Sequence, residues 1–397
     1  MRSLTALHGL RVLDLSRVLA GPFAAQILAD LGADVIKVER PGKGDDSRQW
    51  APPRMVPETP SPLDESVYFW TCNRGKRSIT ADISTPQGRD IVARLARDAD
   101  VVIENYKVDT LSRYGLNYAS LQADNPRLVY CSITGFGQTG PYRTRPGYDT
   151  IIQAMGGLMS ITGYPREEGG GPMKSGLAVV DQMTALYATI AILAALQERQ
   201  ASGLGQQIDL SLLDVQVAAL TNIGMNYLAT GDVPQRQGNR LATVYPSDNF
   251  RCSDGDIMLI VGTDEQFQRF CAVMDLPGIA DDERFSSNAA RLRNMRELDL
   301  LLREAFSSRT MAECQQILDK AGVPAAPINS LEQVFADPHV IARQLVREVI
   351  RPDGRKSRLL ASPIRFSRSP VRDCRPAPRL GEHDAEQNNY WGTSDGG

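Results

Sequence analysis

The sequence predicts an α/β fold built on an open parallel sheet, and three observations predict it. The first forty residues read strand, helix, strand, which is one βαβ unit and so a parallel pair. The same alternation repeats in coarse form to about residue 135. After about residue 200 the texture turns mostly helical, which separates a smaller α+β region from the sheet.

In chain order, "LRVLDL" (10 to 15) is a short apolar strand pattern. "PFAAQILADLG" (22 to 32) follows as a helix, with Pro22 at its first position and Gly32 as its stop. "ADVIKVERP" (33 to 41) is the second strand, and "KRSITADI" reads as a third. "TPQGRDIVARLARDA" reads as a helix capped by Thr85. "DVVIEN" and "RLVYCSITGFG" are strands again. A long helix is expected from Gln182 to a stop at Ser202 and Gly203. It is apolar around most of its circumference, which predicts burial.

Beyond it, "IDLSLLDVQVAALTNIGMNYLATG" reads as mostly helical, and "GDIMLIVGTDEQFQRFCAVM" as a strand and a helix. "NAARLRNMRELDLLLREAFSSRTMAECQQILDKAG" reads as two helices. The expected organisation is a large part over 1–224, a small domain over 225–325, and a segment over 326–397 that packs back on the first. In that last segment "LVREVIR" and "SPIRF" look strand-like.

Several function classes are excluded by composition. A net charge of −3 gives no general basic face for nucleic acid. The six cysteines form no CxxC pair, so a reduced, cytoplasmic setting is expected. The N-terminus reaches Asp14 and Arg17 before a signal-peptide core could form. The longest apolar run, about Ala185 to Leu196, is shorter than the ~20 residues of a membrane span, so no membrane partner is expected. With only three histidines, a Ser-His-Asp triad or a His-rich metal site has few candidates.

Candidate sites cluster at the expected strand ends. "SRVLAGP" (16 to 22) is a strand-to-helix turn able to meet an anion, but it lacks the G-x-G-x-x-G dinucleotide fingerprint. Arg40, Lys43, Arg48, Arg74, Lys76 and Arg77 flank two strand ends, as phosphate partners or as a solvated surface. Glu104, Asn105 and Tyr106 fall at the carboxyl end of a strand, where open α/β sheets bind ligands. The loop "GFGQTGPYRTRPGYDT" (135 to 150) is long and polar-tipped. Asp181 stands just before the long apolar helix. It reads as that helix's N-cap, and the same helix end favours an ionised carboxylate able to act as a nucleophile.

Taken together, "RVLDLSRVLAGPFAAQILADLGADVIKVERPGKGDDSR", "NRGKRSITADI", "VVIENY", "NPRLVYCSITGFGQTGPYRTRPGYD", "GLAVVDQMTALYA", "GQQIDLSLLD" and "LGEH" resemble the class III CoA-transferases, the formyl-CoA transferase group, over nearly the whole chain. The resemblance implies a Rossmann-like large domain built from both chain ends, a smaller domain, and an interlocked homodimer. It implies Asp181 as the nucleophile, passing through mixed anhydrides and an aspartyl-CoA thioester. CoA thioesters are then substrates, with a carboxylic acid as acceptor and no permanently bound cofactor. Carried over by motif, CoA contacts are expected at Val18, Leu19, Arg40, Ala81, Asp82, Ile83, Ser84, Asn105, Tyr106, Lys107, Arg113 and the stretch from Pro146 through Tyr148 to Asp149.

The stretch after "RQGNR" has no glycine run, so the glycine-rich lid of formyl-CoA transferase is not expected. The chain looks closer to the branch acting on succinyl-CoA and dicarboxylates such as itaconate, glutarate or malate. The acceptor's second carboxylate would want Arg240, Arg236 or Lys174. Rival readings are an α-methylacyl-CoA racemase, which carries histidine where this chain has Tyr148, a nucleotide-dependent oxidoreductase, and a non-catalytic CoA-binding protein.

Overall fold

A computed structural model describes residues 4–50, 66–351, 354–372, 374–386 and 391. The described chain divides into two compact units. One comprises 1–157, 175–225 and 339–397, the other 158–174 and 226–338. The sequence reading had left 158–174 with the large part and ended the small domain at 325.

The first unit carries a six-stranded sheet of β1 (Arg11–Asp14), β2 (Asp34–Glu39), β3 (Arg77–Thr80), β4 (Val101–Glu104), β5 (Val129–Thr134) and β6 (Gln207–Ser211). The spatial order is β3-β2-β1-β4-β5-β6 and every neighbouring pair is parallel. The inner strands are near-continuous runs of Val, Ile and Leu because both faces are covered by helices.

Successive side chains point to opposite faces. Val12, Val35, Ile103 and Val129 pack on one face against α1 (Ala20–Asp30) and α7 (Val179–Ser202). Leu13, Ile36, Val102 and Tyr130 face the other layer, with α3 (Pro86–Asp98) and α4 (Tyr118–Leu121). Thr85 caps α3 as expected, accepting from the Gly88 N–H at 3.1 Å. α2 (Val67–Asn73) and α5 (Asp149–Met155) complete the helices used below.

Two expectations are corrected in this unit. Residues 207–211 are an edge strand rather than helix, because Ile208 and Leu210 alternate with polar residues. α8 (Leu212–Ala218) starts only after Ser211 caps it through the Asp214 N–H. α7 spans 24 residues, three residues earlier than Gln182 at its start, and by length and composition could cross a membrane. Here Val180, Thr184, Ala188, Ile192 and Leu196, four residues apart, are buried, and α7 packs on α1 and the sheet. Its opposite face keeps Leu186, Tyr187 and Ile190 exposed, so burial is one-sided.

The tail returns to the sheet edge. β10 (Val346–Ile350) and β11 (Lys356–Leu360) form an antiparallel pair, while "SPIRF" is not a strand. Further on, the His383 N–H donates to the Ser78 carbonyl, and Asp384 accepts from the Thr80 N–H and hydroxyl. The free edge of β3 is covered in this way.

In the second unit lie α6 (Leu158–Ile161) and the antiparallel sheet of β7 (Ser247–Arg251), β8 (Asp256–Ile260) and β9 (Ala325–Pro327). Its core stacks Phe250, Phe267, Phe270 and Phe306. The stretch expected as two helices is three, Asn288–Arg293, Met295–Ser307 and Met311–Lys320, because the first breaks at Asn294.

Candidate functional site

Strand order reverses between β1 and β4, and open α/β sheets bind ligands outside the strand carboxyl ends at such a point. Here the two strand ends are tied together. The Leu15 N–H donates to the Ile103 carbonyl at 2.8 Å. Asn105 accepts from the Arg17 N–H at 2.8 Å and donates back to the Arg17 carbonyl at 2.7 Å. Next in the turn, Val18 sits at φ 72°, a left-handed backbone that a β-branched residue rarely adopts.

What holds Val18 there is a buried ionic network. Both Asp45 oxygens accept from the Val18 N–H at 3.2 Å. Lys37, in the middle of β2, lies 2.9 Å from Asp45 and donates to the Ser16 carbonyl at 2.7 Å. Lys76 lies 2.7 Å from Asp14 and also donates to the Pro22 carbonyl and Asn73. Against the cost of burial, the Lys37 ammonium and the Ser47 donors hold Asp45 well below the usual carboxylate range.

For four of the six basic residues these pairs replace the reading as phosphate partners, while Arg40 and Lys43 stay on the first cavity, Lys43 beside Asp46 at 3.4 Å. Lys76 is consumed by Asp14, Arg48 by Glu39 at 2.6 Å, Arg74 by Asp30 and Arg77 by Asp34. A strand-end cation with a buried acid in reach forms the pair, because neither charge can be left bare in the core. Sequence reasoning missed Asp45 and Lys37. A lysine inside the apolar run "VIKVE" was the available signal, since a buried ammonium demands an acid.

Two cavities open at the switch point and share Arg17, Asp46 and Tyr106 in their linings. The first, about 290 Å³, is lined by Arg40, Lys43, Ala81, Asp82, Ile83, Ser84 and Tyr106 among others. The second, about 210 Å³, is lined by Val18, Leu19, Asn105, Tyr106, Lys107, Pro146, Tyr148, Asp149 and Asp181. Of the expected site residues, Arg113 alone lines neither. It lies exposed on the 3-10 turn Ser112–Tyr114, which turns Tyr114 into the first cavity instead. Among the expected cations, Arg40 and Lys107 form no salt bridge among the described residues, although the Arg40 charge acts on Asp82 in the same cavity. Glu104 lies beneath, where burial pushes it up to about 7 although Ser132 and the Tyr106 N–H donate to it.

Asp181 is not the cap of its helix. It is the third residue of α7, and the N-cap position is Ala178, which has no capping side chain. The capping carboxylate comes from α5. Asp149 accepts from the Val180 N–H at 2.8 Å and the Asp181 N–H at 3.2 Å, and is held by Gln153 at 2.5 Å. The Asp181 carboxyl accepts no hydrogen bond from the described residues. Burial first, and the Asp149 carboxylate second, push it up to about 7. The expectation that the helix end keeps Asp181 ionised at neutral pH is therefore corrected: desolvation and a like charge outweigh the helix end.

The loop after β5 is pinned at its stem. A Cβ on Gly135 would lie 2.6 Å from the Gly147 Cα, so only two glycines allow the chain to close there. Asp209 on β6 accepts from the Gln138 N–H at 3.0 Å and anchors the outgoing side. The loop puts Arg143 and Arg145 on the wall of the Asp181 cavity, two residues the sequence reading did not single out. The three basic residues expected to read a second carboxylate, Arg240, Arg236 and Lys174, all fall in the second unit, where Arg240 is paired with Glu168.

A family model described as CoA-transferase family III matches residues 7–384. The chain is 50% identical over 384 residues to a succinate–glutarate CoA-transferase of Agrobacterium fabrum, covering 96% of this chain and 94% of that one. It is 41% identical to the human succinyl-CoA:glutarate CoA-transferase over 96% of this chain and 85% of the relative. Among solved structures, a CAIB/BAIF family protein from Brucella suis superposes with a TM-score of 0.88 at 46% identity, over 97% of this chain and 99% of that one.

Proposed function

The chain belongs to CoA-transferase family III, and from that premise we propose that it moves CoA from succinyl-CoA to a dicarboxylic acid, glutarate first, with Asp181 as the covalent nucleophile. One observation carries the reading. Asp181 is a carboxyl group without a hydrogen-bond partner among the described residues, on the wall of a cavity at the sheet's switch point, pushed up to about 7. A carboxyl group so tuned is more nucleophilic than an ordinary aspartate and still half ionised near neutral pH. The names of the relatives support the two acids.

The steps balance without an outside reagent. The Asp181 carboxylate attacks the succinyl thioester carbonyl, and the C–S bond breaks to release CoA thiolate and leave an aspartyl–succinyl anhydride. The thiolate attacks the aspartyl carbonyl, giving an aspartyl-CoA thioester and free succinate. The acceptor carboxylate then displaces the thiolate to form the second anhydride. Thiolate attack on its acceptor carbonyl yields the new acyl-CoA and regenerates Asp181.

CoA is assigned to the first cavity and its junction with the second. Ala81 to Ser84 and Tyr106 provide backbone and ring surfaces, and Arg40 and Lys107 provide cations for its phosphates. The active species is proposed to be the interlocked, cytoplasmic homodimer. The uncovered α7 face of Leu186, Tyr187 and Ile190, 51%, 46% and 62% exposed, supports a second copy as its cover.

The test is trapping. Incubation with succinyl-CoA followed by hydroxylamine or borohydride is expected to modify the Asp181 peptide in a mass spectrum. Asp181→Asn is expected to lose the adduct and about 10⁴-fold of turnover. An unmodified wild-type Asp181 under several acyl-CoA donors overturns the covalent reading. A clear preference for oxalate or a monocarboxylic acid over glutarate overturns the dicarboxylate assignment.

A further inference from the structure

We propose that Arg145 reads the distal, unreacting carboxylate of the diacid, in the donor thioester and in the acceptor acid alike. The inference rests on the transfer reading above. In a transfer that passes through one aspartyl intermediate, the departing acid and the incoming acid occupy the same place beside Asp181. Succinate and glutarate share one feature there, a second carboxylate a few bonds from the reacting carbon. The cavity wall already carries Asp46, Asp149 and Asp181, so a diacid entering it needs a cation.

Three arginines line that wall, and two are engaged. Arg17 pairs with Asp46 at 3.3 Å, and Arg143 pairs with Asp109 at 3.1 Å. The Arg145 guanidinium meets no acceptor among the described residues. It is nonetheless held in place, since it lies over the Tyr142 ring, 3.9 Å from its centroid. Tyr142 in turn packs edge-on against Phe136 at 5.7 Å, and Phe136 packs on the hydrophobic core beneath α7. The ladder Phe136–Tyr142–Arg145 holds the guanidinium in place, and its N–H groups meet no acceptor among the described residues.

A stacked guanidinium presents two parallel donors to a carboxylate. Lys107, the lysine on the same wall, is a point charge on a flexible stem and suits a phosphate of CoA. The Gly135–Gly147 contact closes the stem of the loop next to Asp149, so the position of Arg145 is tied to the N-terminus of α7.

The experiment compares two donors that differ only in the distal group, succinyl-CoA and butyryl-CoA, by the rate at which each forms the Asp181 adduct in the full-length protein. The wild type is expected to prefer succinyl-CoA. Arg145→Ala is expected to slow the succinyl-CoA reaction about 100-fold while changing the butyryl-CoA rate less than about threefold, so that the preference collapses. Arg145→Lys should recover part of the preference through charge alone. The affinity for free CoA, measured by calorimetry, should stay within about twofold in both variants.

An equal loss with both donors, or a weakened CoA affinity, assigns Arg145 to CoA or to the loop and overturns the proposal. So does collapse of the preference in Lys107→Ala with Arg145→Ala unaffected. A wild type that forms no adduct with any acyl-CoA overturns the transfer reading, and this inference with it.

Discussion

Two groups of ionisable residues lie within the same unit and obey opposite rules. Around the turn after β1, Asp14, Lys37, Asp45 and Lys76 are buried, and each has a partner of opposite charge within hydrogen-bond reach. At the start of α7, Asp149 and Asp181 are neighbours of like charge with no cation bonded to either among the described residues. The first group spends its charges on position. It fixes Val18 and the turn that opens the cavity. The second group keeps a carboxyl group unspent, with its pKa raised by burial and by the like charge, at the position proposed for the nucleophile. Charge alone does not distinguish the two groups; whether it is paired in the core or unpaired beside a cavity does.

The two groups should respond to pH in opposite directions. Asp14 and Asp45 titrate lower in the fold than in the unfolded chain, so their contribution is present above the usual carboxylate range and is lost as pH falls through the depressed values. Asp181 is raised, so the stability it contributes is full below about pH 4 and is lost as pH rises through about 7. Asp181→Asn should therefore melt higher than the wild type at pH 8.

The largest effect is expected from breaking the balance of the first group. Lys76→Met removes the 2.7 Å partner of Asp14 and leaves Lys37, 3.9 Å away, as the nearest ammonium. Loss of one member of a buried pair costs about 3–5 kcal/mol. Urea unfolding should show that loss, together with a disordered switch-point turn and weakened CoA binding. A loss below about 1 kcal/mol would mean that Asp14 takes up a proton or a water at little cost, and the contrast between the regions would fail.

The second region is sharpened by Asp149→Asn. Asparagine remains a good cap, so stability should change by less than about 1 kcal/mol. The like charge is gone, however, and the acid limb of the rate profile, expected near pH 7 in the wild type, should move down toward the ordinary carboxylate range. Activity should rise at pH 5 and fall at pH 8, where a less basic nucleophile is weaker. An unmoved limb would assign it to another group, for which Glu104, also about 7, is the candidate.

Much of this was legible in sequence, and the misses have physical causes. The βαβ start and the strand ends follow from local pattern, because a parallel strand buried on both faces must be apolar and must stop at polar residues, whereas local pattern read Asp181 as a cap and only the family resemblance singled it out. The capping of α7 was not legible. Its cap is supplied by a carboxylate 31 residues before Val180, and nothing local to Ala178 announces it. Nor could the fate of the basic residues be read. Lys76 and Arg40 look alike in sequence, and only the fold decides that one meets Asp14 in the core while the other faces the cavity. The edge strand β6 was lost because "IDLS" alternates over too few residues to outweigh the helix that follows it.

The smallest effect lies where the two regions meet, at Val18. The Asp45 carboxylate holds its N–H at 3.2 Å while the backbone is at φ 72°. A β-branched residue there is strained by about 1–3 kcal/mol, and glycine is not. Val18→Gly gives up a half-buried side chain and gains that relief, so stability should change by no more than about 1 kcal/mol in either direction. Turnover should fall several-fold more than stability does, because the turn loses the side chain that lines the Asp181 cavity and the stiffness that aims Arg17 and Leu19. If turnover and stability instead move together, the strain at Val18 serves folding alone, and the ionic network would be a structural device with no hand in shaping the cavity.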